Sequence, residues 1–313
     1  MASWWKTQPV FPKNNQKPYT KIDNIPKPIF NSEFIIYKYN INYINAILEF
    51  INSNYIDGYE YSLDYLHRKT TLHNSTSLVL MNTLNEIVGF ITCQPIQFQN
   101  IEMGYVDLMT VSKKYRSKGL AKILISHIVN YSGFDSYLHK KDSCPLPFPY
   151  FFKDKYWSIP LAVLKYRYKL DKNNISLTQN DRLETISNYN KNGFLIEGGF
   201  FRNSESIKNI VLNDGSYVSF AIHKFTYGIL RNVKLAEIFA TTLGDFNKEV
   251  YLELIKKLLN FSIDFLVVLE SQTFFRAPIK LDNFLGGREL YLHSYNRYIP
   301  SLEEGSDFQI PVF

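Results

Sequence analysis

Cysteine is nearly missing from this chain: there are two in 313 residues, Cys93 and Cys144. That excludes a disulfide framework and a cysteine zinc site. The six histidines fall at no metal-ligand spacing, and His67 with His73 reads as a surface coincidence, so no metal is expected. No apolar run approaches the ~18 residues that span a bilayer. The opening Met1-Ala2-Ser3-Trp4-Trp5-Lys6 lacks the apolar stretch of a signal peptide. A cytoplasmic protein without integral membrane association is expected. Lysine and arginine are scattered, with no long basic run, which argues against nucleic acid although the net charge is +6. That charge suits an anionic ligand. Neither a nucleophile constellation nor a glycine-rich ATP loop occurs, so the chemistry need not pass through a covalent enzyme intermediate.

What is present describes a globular chain, 45% hydrophobic and 20% charged, long enough for one large domain or two small ones. Residues 1–34 form an irregular arm with Pro9, Pro12, Pro18, Pro26 and Pro28. Ile44, Ile47, Leu48, Ile51 and Tyr55 follow helical spacing. Leu78–Leu84 and Ile87–Cys93 predict a hairpin around Asn85-Glu86. A third strand covers 103–111, a helix carries Leu120, Ile123, Leu124 and Ile128, and Asp135–His139 returns as a strand. After Pro145, Pro147 and Pro149 the order recurs. Ile207–Leu212 and Ser216–Phe225 flank the turn Asn213-Asp214-Gly215. Helices at roughly 234–243 and 247–260 follow, then strands over Asp264–Leu269 and near Glu289–Asn296. Hairpin, helix and strand appearing twice predict a pseudo-duplicated α/β fold on one continuous sheet.

The most informative stretch runs from Val106 to Ala121, where a strand breaks into a basic turn and opens a helix. It contains Arg116-x-x-Gly119-x-Ala121, the spacing with which acyl-CoA-dependent N-acyltransferases cradle a pyrophosphate. Free N–H groups and partial positive charge gather at a helix start. Gly119 and Ala121 keep the main chain open to phosphate oxygens. Only the first copy of the repeat keeps this spacing. Leu108 and Met109 read as core-strand side chains, so any role of theirs falls to backbone N–H groups that a bulge could free. Trp4 and Trp5, on residue type alone, read as hydrophobic plugs. Tyr55, Tyr59, Tyr61 and Tyr156 are weak substrate contacts by themselves in a chain with 23 tyrosines.

Four blocks in shared order resemble the N-myristoyltransferase family. Trp4-Trp5-Lys6-Thr7-Gln8-Pro9-Val10 is similar to the family's Phe-Trp-Asp-Thr-Gln-Pro-Val. Leu108–Ala121 resembles its Phe-Leu-Cys-Val-His-Lys-Lys-Leu-Arg-Ser-Lys-Arg-Leu-Ala. Lys155-Tyr156-Trp157 resembles an Arg-Tyr-Trp-His-Arg segment lining the peptide groove. Phe284-Leu285-Gly286-Gly287, Tyr295-Asn296 and Pro300-Ser301 track its last glycine-rich turn, Tyr-Asn and Pro-Ser positions. The chain departs from the family at Gly119, usually Arg, and at Ser158, usually His. The acidic run after Asn54-Tyr55-Ile56-Asp57 is shortened to Gly58-Tyr59-Glu60-Tyr61.

The resemblance implies two fused acetyltransferase-type halves in pseudo-twofold order on a continuous mixed sheet. An N-terminal arm would cover 1–34, an acyl-CoA-binding half 35–165, and a peptide-binding half 166–313 ending in a docked C-terminus. It implies a monomer that transfers a myristoyl group from myristoyl-CoA to the α-amine of an N-terminal glycine on a protein substrate. The Phe313 carboxylate would be the base, and the Leu108 and Met109 amides the oxyanion hole. Trp4, Trp5, Leu108, Met109, Thr110, Val111, Arg116, Ser117, Lys118, Gly119, Leu120 and Ala121 would contact the acyl-CoA. Tyr55, Asp57, Tyr59, Tyr61, Tyr156 and Gly286 would contact the peptide. Two alternatives stay open: a small-acyl N-acetyltransferase, which shares the cradle, and a non-catalytic protein that binds acyl-CoA or acyl-peptide.

Overall fold

The computed structural model describes residues 2–55, 58–98, 101–170, 194–195, 206–215, 217–227, 230–241, 248–269 and 289–302. Two compact units divide the chain. One comprises Met1–Asp57, Leu66–Lys153 and Leu290–Glu304; the other comprises Gly58–Tyr65, Asp154–Glu289 and Gly305–Phe313. In chain order the elements begin with α1 (Ala2–Trp5), β1 (Phe34–Lys38), α2 (Ile44–Asn54), β2 (Tyr59–Glu60) and α3 (Leu63–Thr71). Then come β3 (Thr76–Asn82), β4 (Ile87–Phe98), β5 (Ile101–Val111), α4 (Leu120–Tyr131), β6 (Tyr137–Asp142), β7 (Phe152–Pro160) and α5 (Leu161–Arg167). The remainder are β8 (Phe194–Leu195), β9 (Ile207–Val211), β10 (Tyr217–Tyr227), β11 (Leu230–Thr241), α6 (Lys248–Asn260), β12 (Phe265–Leu269) and β13 (Glu289–Tyr295).

In the first unit the strands lie in the order β1-β3-β4-β5-β6-β13. Every pair described is antiparallel except β5 with β6. A parallel neighbour needs a crossover, and α4 supplies it. Leu120, Ile123, Leu124, Ile125, Ile128 and Val129 of α4 are buried with Leu78, Leu80, Val88 and Ile91 of the sheet. Gly104 shows how tight this sheet is. A Cβ there would meet the Tyr137 ring at 2.5 Å and the Cys93 sulfur at 2.6 Å. Asn85 takes a left-handed φ of 60° at the hairpin turn, as an Asn can.

The second unit repeats the plan. Its strands run β7-β12-β11-β10-β2, with β9 on the side of β10, and β11 with β12 is the parallel pair. Helix α6 makes the crossover, burying Val250, Tyr251, Leu254, Ile255 and Leu258. Hairpin β10–β11, α6 and β12 therefore match hairpin β4–β5, α4 and β6. One sequence expectation is corrected here: residues 234–243 were read as a helix, but residues up to Thr241 belong to β11. Val233 and Leu235 pack into one apolar cluster, while Ala236 and Ile238 pack into another. A strand buried on both faces loses its alternation, and its consecutive apolar residues imitate a helical stripe.

A pair of histidines ties the first unit to pH. His139 of β6 stands opposite His293 of β13. Both ring nitrogens of His293 have partners: Nδ1 lies 3.1 Å from the Pro149 carbonyl, and the Leu146 N–H donates to Nε2 at 3.1 Å. Burial pushes His293 down to about 4. Burial, and then the neighbouring His293, push His139 down to about 3. In the unfolded chain both titrate near ~6.5. Below that value the unfolded chain takes up protons that the folded chain refuses. Stability should be full above about pH 6.5 and fall as pH drops toward about 4, by up to ~1.4 kcal/mol per pH unit for each ring. Urea unfolding from pH 7 to pH 4 measures this slope, and His139→Gln should flatten it. An unchanged slope in that variant would assign the effect to other groups.

Candidate active site

The β4–β5 ladder breaks at one place. Phe90 pairs with Thr110 and Thr92 pairs with Asp107, so Leu108 and Met109 together face Ile91. This is a β-bulge, one extra residue on β5. Leu108 adopts a φ of 48°, the left-handed region that a branched residue avoids. Its side chain is buried and that of Met109 is 42% exposed. The Leu108 N–H donates to Asp107 Oδ1 at 2.8 Å. The second Asp107 oxygen pairs with the ammonium of Lys69, a fully buried residue of α3. Burial lowers Lys69 to about 8, against the pull of Asp107 upward. Burial would raise the Asp107 carboxyl, but Lys69, then Lys140, and hydrogen bonds from Lys69 and Leu108 leave it below the ordinary carboxylate value. Both groups are therefore charged at pH 7.

From the bulge, β5 runs into a 3-10 turn over Lys113–Tyr115 and then into α4. Ser117 has a φ of 67° and Gly119 a φ of 83° as the N-cap of α4. Two left-handed residues in three turn the chain sharply enough to leave the helix start uncovered. A Cβ added at Gly119 would meet nothing within 4 Å. The first amides of α4, at Leu120 and Ala121, have no intrahelical acceptor by helix geometry. Lys113, Lys114, Arg116 and Lys118 are exposed around this opening. Lys114 and Lys118 place their ammonium groups 5.6 and 5.0 Å from the Tyr115 ring centre. The turn is pinned to α2 by Asn54, whose Oδ1 accepts from the Lys113 N–H at 2.9 Å and whose carbonyl accepts from Arg116. The guanidinium thus caps the C-terminal end of α2, where the helix dipole favours a cation.

In the second unit, a ring of aromatics surrounds His223. Tyr59, Tyr61 and Tyr65 stand edge-on to its imidazole, with centroids 5.8, 5.4 and 4.8 Å away. His223 is buried and its Nε2 lies 3.0 Å from Glu237 Oε2. Tyr59 and Tyr156 share one apolar cluster with Phe225, Val233, Leu235, Phe265 and Val267. Three of the residues expected at a peptide surface are therefore in this unit, and Tyr59 and Tyr156 share a cluster.

Leu108 through Ala121 form one contiguous run of bulge, turn and helix start. Trp5 is 1% exposed and packs on Phe148 and His139, so it is a core residue, while Trp4 beside it is half-buried. Leu120 is likewise a core side chain. Tyr55 follows the last turn of α2. Asp57, Gly286 and Phe313 lie outside the described residues. Sequence reading missed Asp107, Lys69 and Asn54. The only signal for Asp107 was a charge in mid-strand between the apolar residues Val106 and Leu108. Among the described residues no group of three His, Cys, Asp or Glu could hold a metal, and no helix is long and apolar enough to cross a membrane.

Residues 44–137 match the model of the acetyltransferase (GNAT) family. The chain is similar to Saccharomyces cerevisiae N-myristoyltransferase solved with bound myristoyl-CoA, with a TM-score of 0.70 and 15% identity over 96% of this chain and 93% of that one. A second structure of the yeast protein with myristoyl-CoA gives a TM-score of 0.71 at 15% identity, covering 97% and 91%. No curated protein matches by sequence search. The fold is thus the mixed α/β acetyltransferase fold in the form found in N-myristoyltransferase, and the family match supports acyl transfer.

Since a Cβ at Gly119 meets no protein atom, Gly119→Val should cost the fold only the left-handed strain of about 1–2 kcal/mol. Its loss of CoA affinity should be much larger, because the branched side chain fills the space in front of the helix amides. Thermal melts and calorimetry with CoA separate the two effects. Wild-type affinity in a folded Gly119→Val would mean that this helix start holds no phosphate of CoA.

Proposed function

We propose that this chain, which has the N-myristoyltransferase fold, transfers a myristoyl group from myristoyl-CoA to the α-amine of an N-terminal glycine. The observation that carries the reading is the joining of two devices by a single connection: a bulge at Leu108–Met109 and a helix start at Gly119 with open space in front of it. An acyl-CoA has a thioester at one end of its pantetheine arm and phosphates at the other, so it needs both.

The turn amides with Ser117, Lys118 and Gly119 hold the phosphates, with Arg116 contributing charge beside its bond to Asn54. Trp4 covers another part of the cofactor. A backbone amide of the bulge receives the oxyanion that forms when the amine attacks the thioester carbon. The amine, with a pKa of roughly 7.7–8.0 as an ammonium, must first lose a proton. The Phe313 carboxylate takes it, directly or through water. The thioester C–S bond then breaks and CoA thiolate leaves. Tyr55, Asp57, Tyr59, Tyr61, Tyr156 and Gly286 line the path of the peptide. Because Gly58-Tyr59-Glu60-Tyr61 carries one acid, preference for lysine-bearing peptides should be weaker than in a site with an acidic run.

Incubation with acyl-CoAs of graded length and a glycine-initiated peptide, read by mass spectrometry, tests the reading. Myristoyl-CoA should be favoured over acetyl-CoA, since each buried methylene contributes about 0.8 kcal/mol. Equal rates would favour a small-acyl transferase, and binding without transfer a non-catalytic protein. Amidating the Phe313 carboxylate by semisynthesis should abolish transfer while acyl-CoA binding persists. Turnover at the normal rate would remove Phe313 from the mechanism.

A further inference from the structure

We infer that Asp107 is a positioning residue for the oxyanion donor, anchored for that task by Lys69, so that Met109 rather than Leu108 supplies the working amide. The inference rests on the acyl-transfer reading above. Its geometry is a network of six contacts. Gln94 Nε2 donates to the Lys69 carbonyl at 3.2 Å, and Gln94 Oε1 lies 3.4 Å from Lys69 Nζ. Lys69 Nζ lies 5.9 Å from the Tyr105 ring centre and pairs with Asp107 Oδ2. Asp107 Oδ1 accepts from the Leu108 N–H at 2.8 Å. Thr92 Oγ1 donates to the Asp107 carbonyl at 3.3 Å, fixing the backbone on the other side of the same residue.

A buried ion pair is a costly way to hold a sheet, since apolar residues of similar volume commonly do as well or better. This one holds something an apolar pair could not. Leu108 sits at a φ of 48°, a conformation that persists in a non-glycine residue only where its surroundings impose it. A carboxylate accepting the residue's own N–H imposes it. That bond also occupies the Leu108 amide, leaving the next amide in the bulge, at the exposed Met109, to receive the oxyanion.

The variants are Asp107→Ala, which removes the acceptor, and Asp107→Asn, which keeps an oxygen for the Leu108 amide. Asp107→Ala should lower kcat about 100-fold, the scale of a displaced catalytic group, with KM for acyl-CoA within about threefold of wild type. Asp107→Asn should recover most of that loss. A normal or raised kcat in folded Asp107→Ala, or equal losses in both variants, overturns the inference. So does a parallel rise in KM. Hydrogen exchange of the Leu108 amide, followed by NMR, gives a readout without turnover. It should be slow in wild type and Asp107→Asn and at least about tenfold faster in Asp107→Ala. Exchange in wild type at the rate of an unbonded amide overturns the inference even if both variants unfold. Failure of the acyl-transfer reading looks different: wild type itself is inert with every acyl-CoA, whatever the Leu108 exchange.

Discussion

Along β4 and β5 the pairing is continuous on both sides of the point where two residues meet one. That mismatch governs the rest of the first unit's site. A strand without it would keep strict alternation, and every amide of Leu108–Val111 would point either to a neighbouring strand or away from any opening. The inserted residue makes buried Leu108 and exposed Met109 share one place in the ladder. It also bends the strand, which then delivers the Lys113–Tyr115 turn and the start of α4. A bulge of this kind is usually relieved by glycine at its left-handed position. Here a leucine occupies it, and a carboxylate backed by a buried ammonium supplies the restraint that glycine would not have needed.

The second unit uses the same hairpin–helix–strand frame for other ends. Its long hairpin also departs from regular register, between Ser219 and Phe220 and again between Phe225 and Tyr227. Its buried polar pair is His223 with Glu237, and the groups around it are tyrosine rings rather than backbone amides. Duplication of the frame has not duplicated the chemistry. One copy carries a bulge and exposed positive charge at its turn. The other encloses a buried His–Glu pair with aromatic rings.

Much of this was legible in the sequence, for reasons that differ by residue. The hairpin at Asn85 and the helix after Gly119 were readable because turn and capping chemistry are local. The strand–turn–helix over Val106–Ala121 was readable because it is a single local connection. Residues up to Thr241 misled because β11 is buried on both faces, which erases the period that distinguishes strand from helix. Lys69 and Asp107 were unreadable because they are 38 residues apart and meet only through packing of α3 against the sheet. Trp5 looked like a ligand contact from the block around it, yet its neighbours Phe148 and His139 come from distant segments and enclose it.

The two kinds of charge in the first unit answer differently to ionic strength. Lys113, Lys114, Arg116 and Lys118 lie in water, where a Debye length of about 8 Å at physiological salt already weakens their reach and about 3 Å at 1 M nearly cancels it. The Lys69 ammonium, with none of its side chain exposed, sees no such atmosphere. Concentrated salt should therefore weaken any contact the turn makes with an anion while leaving the Lys69–Asp107 pair and the bulge beside it intact. Charge at the turn and geometry at the bulge are separable quantities in one continuous stretch of chain.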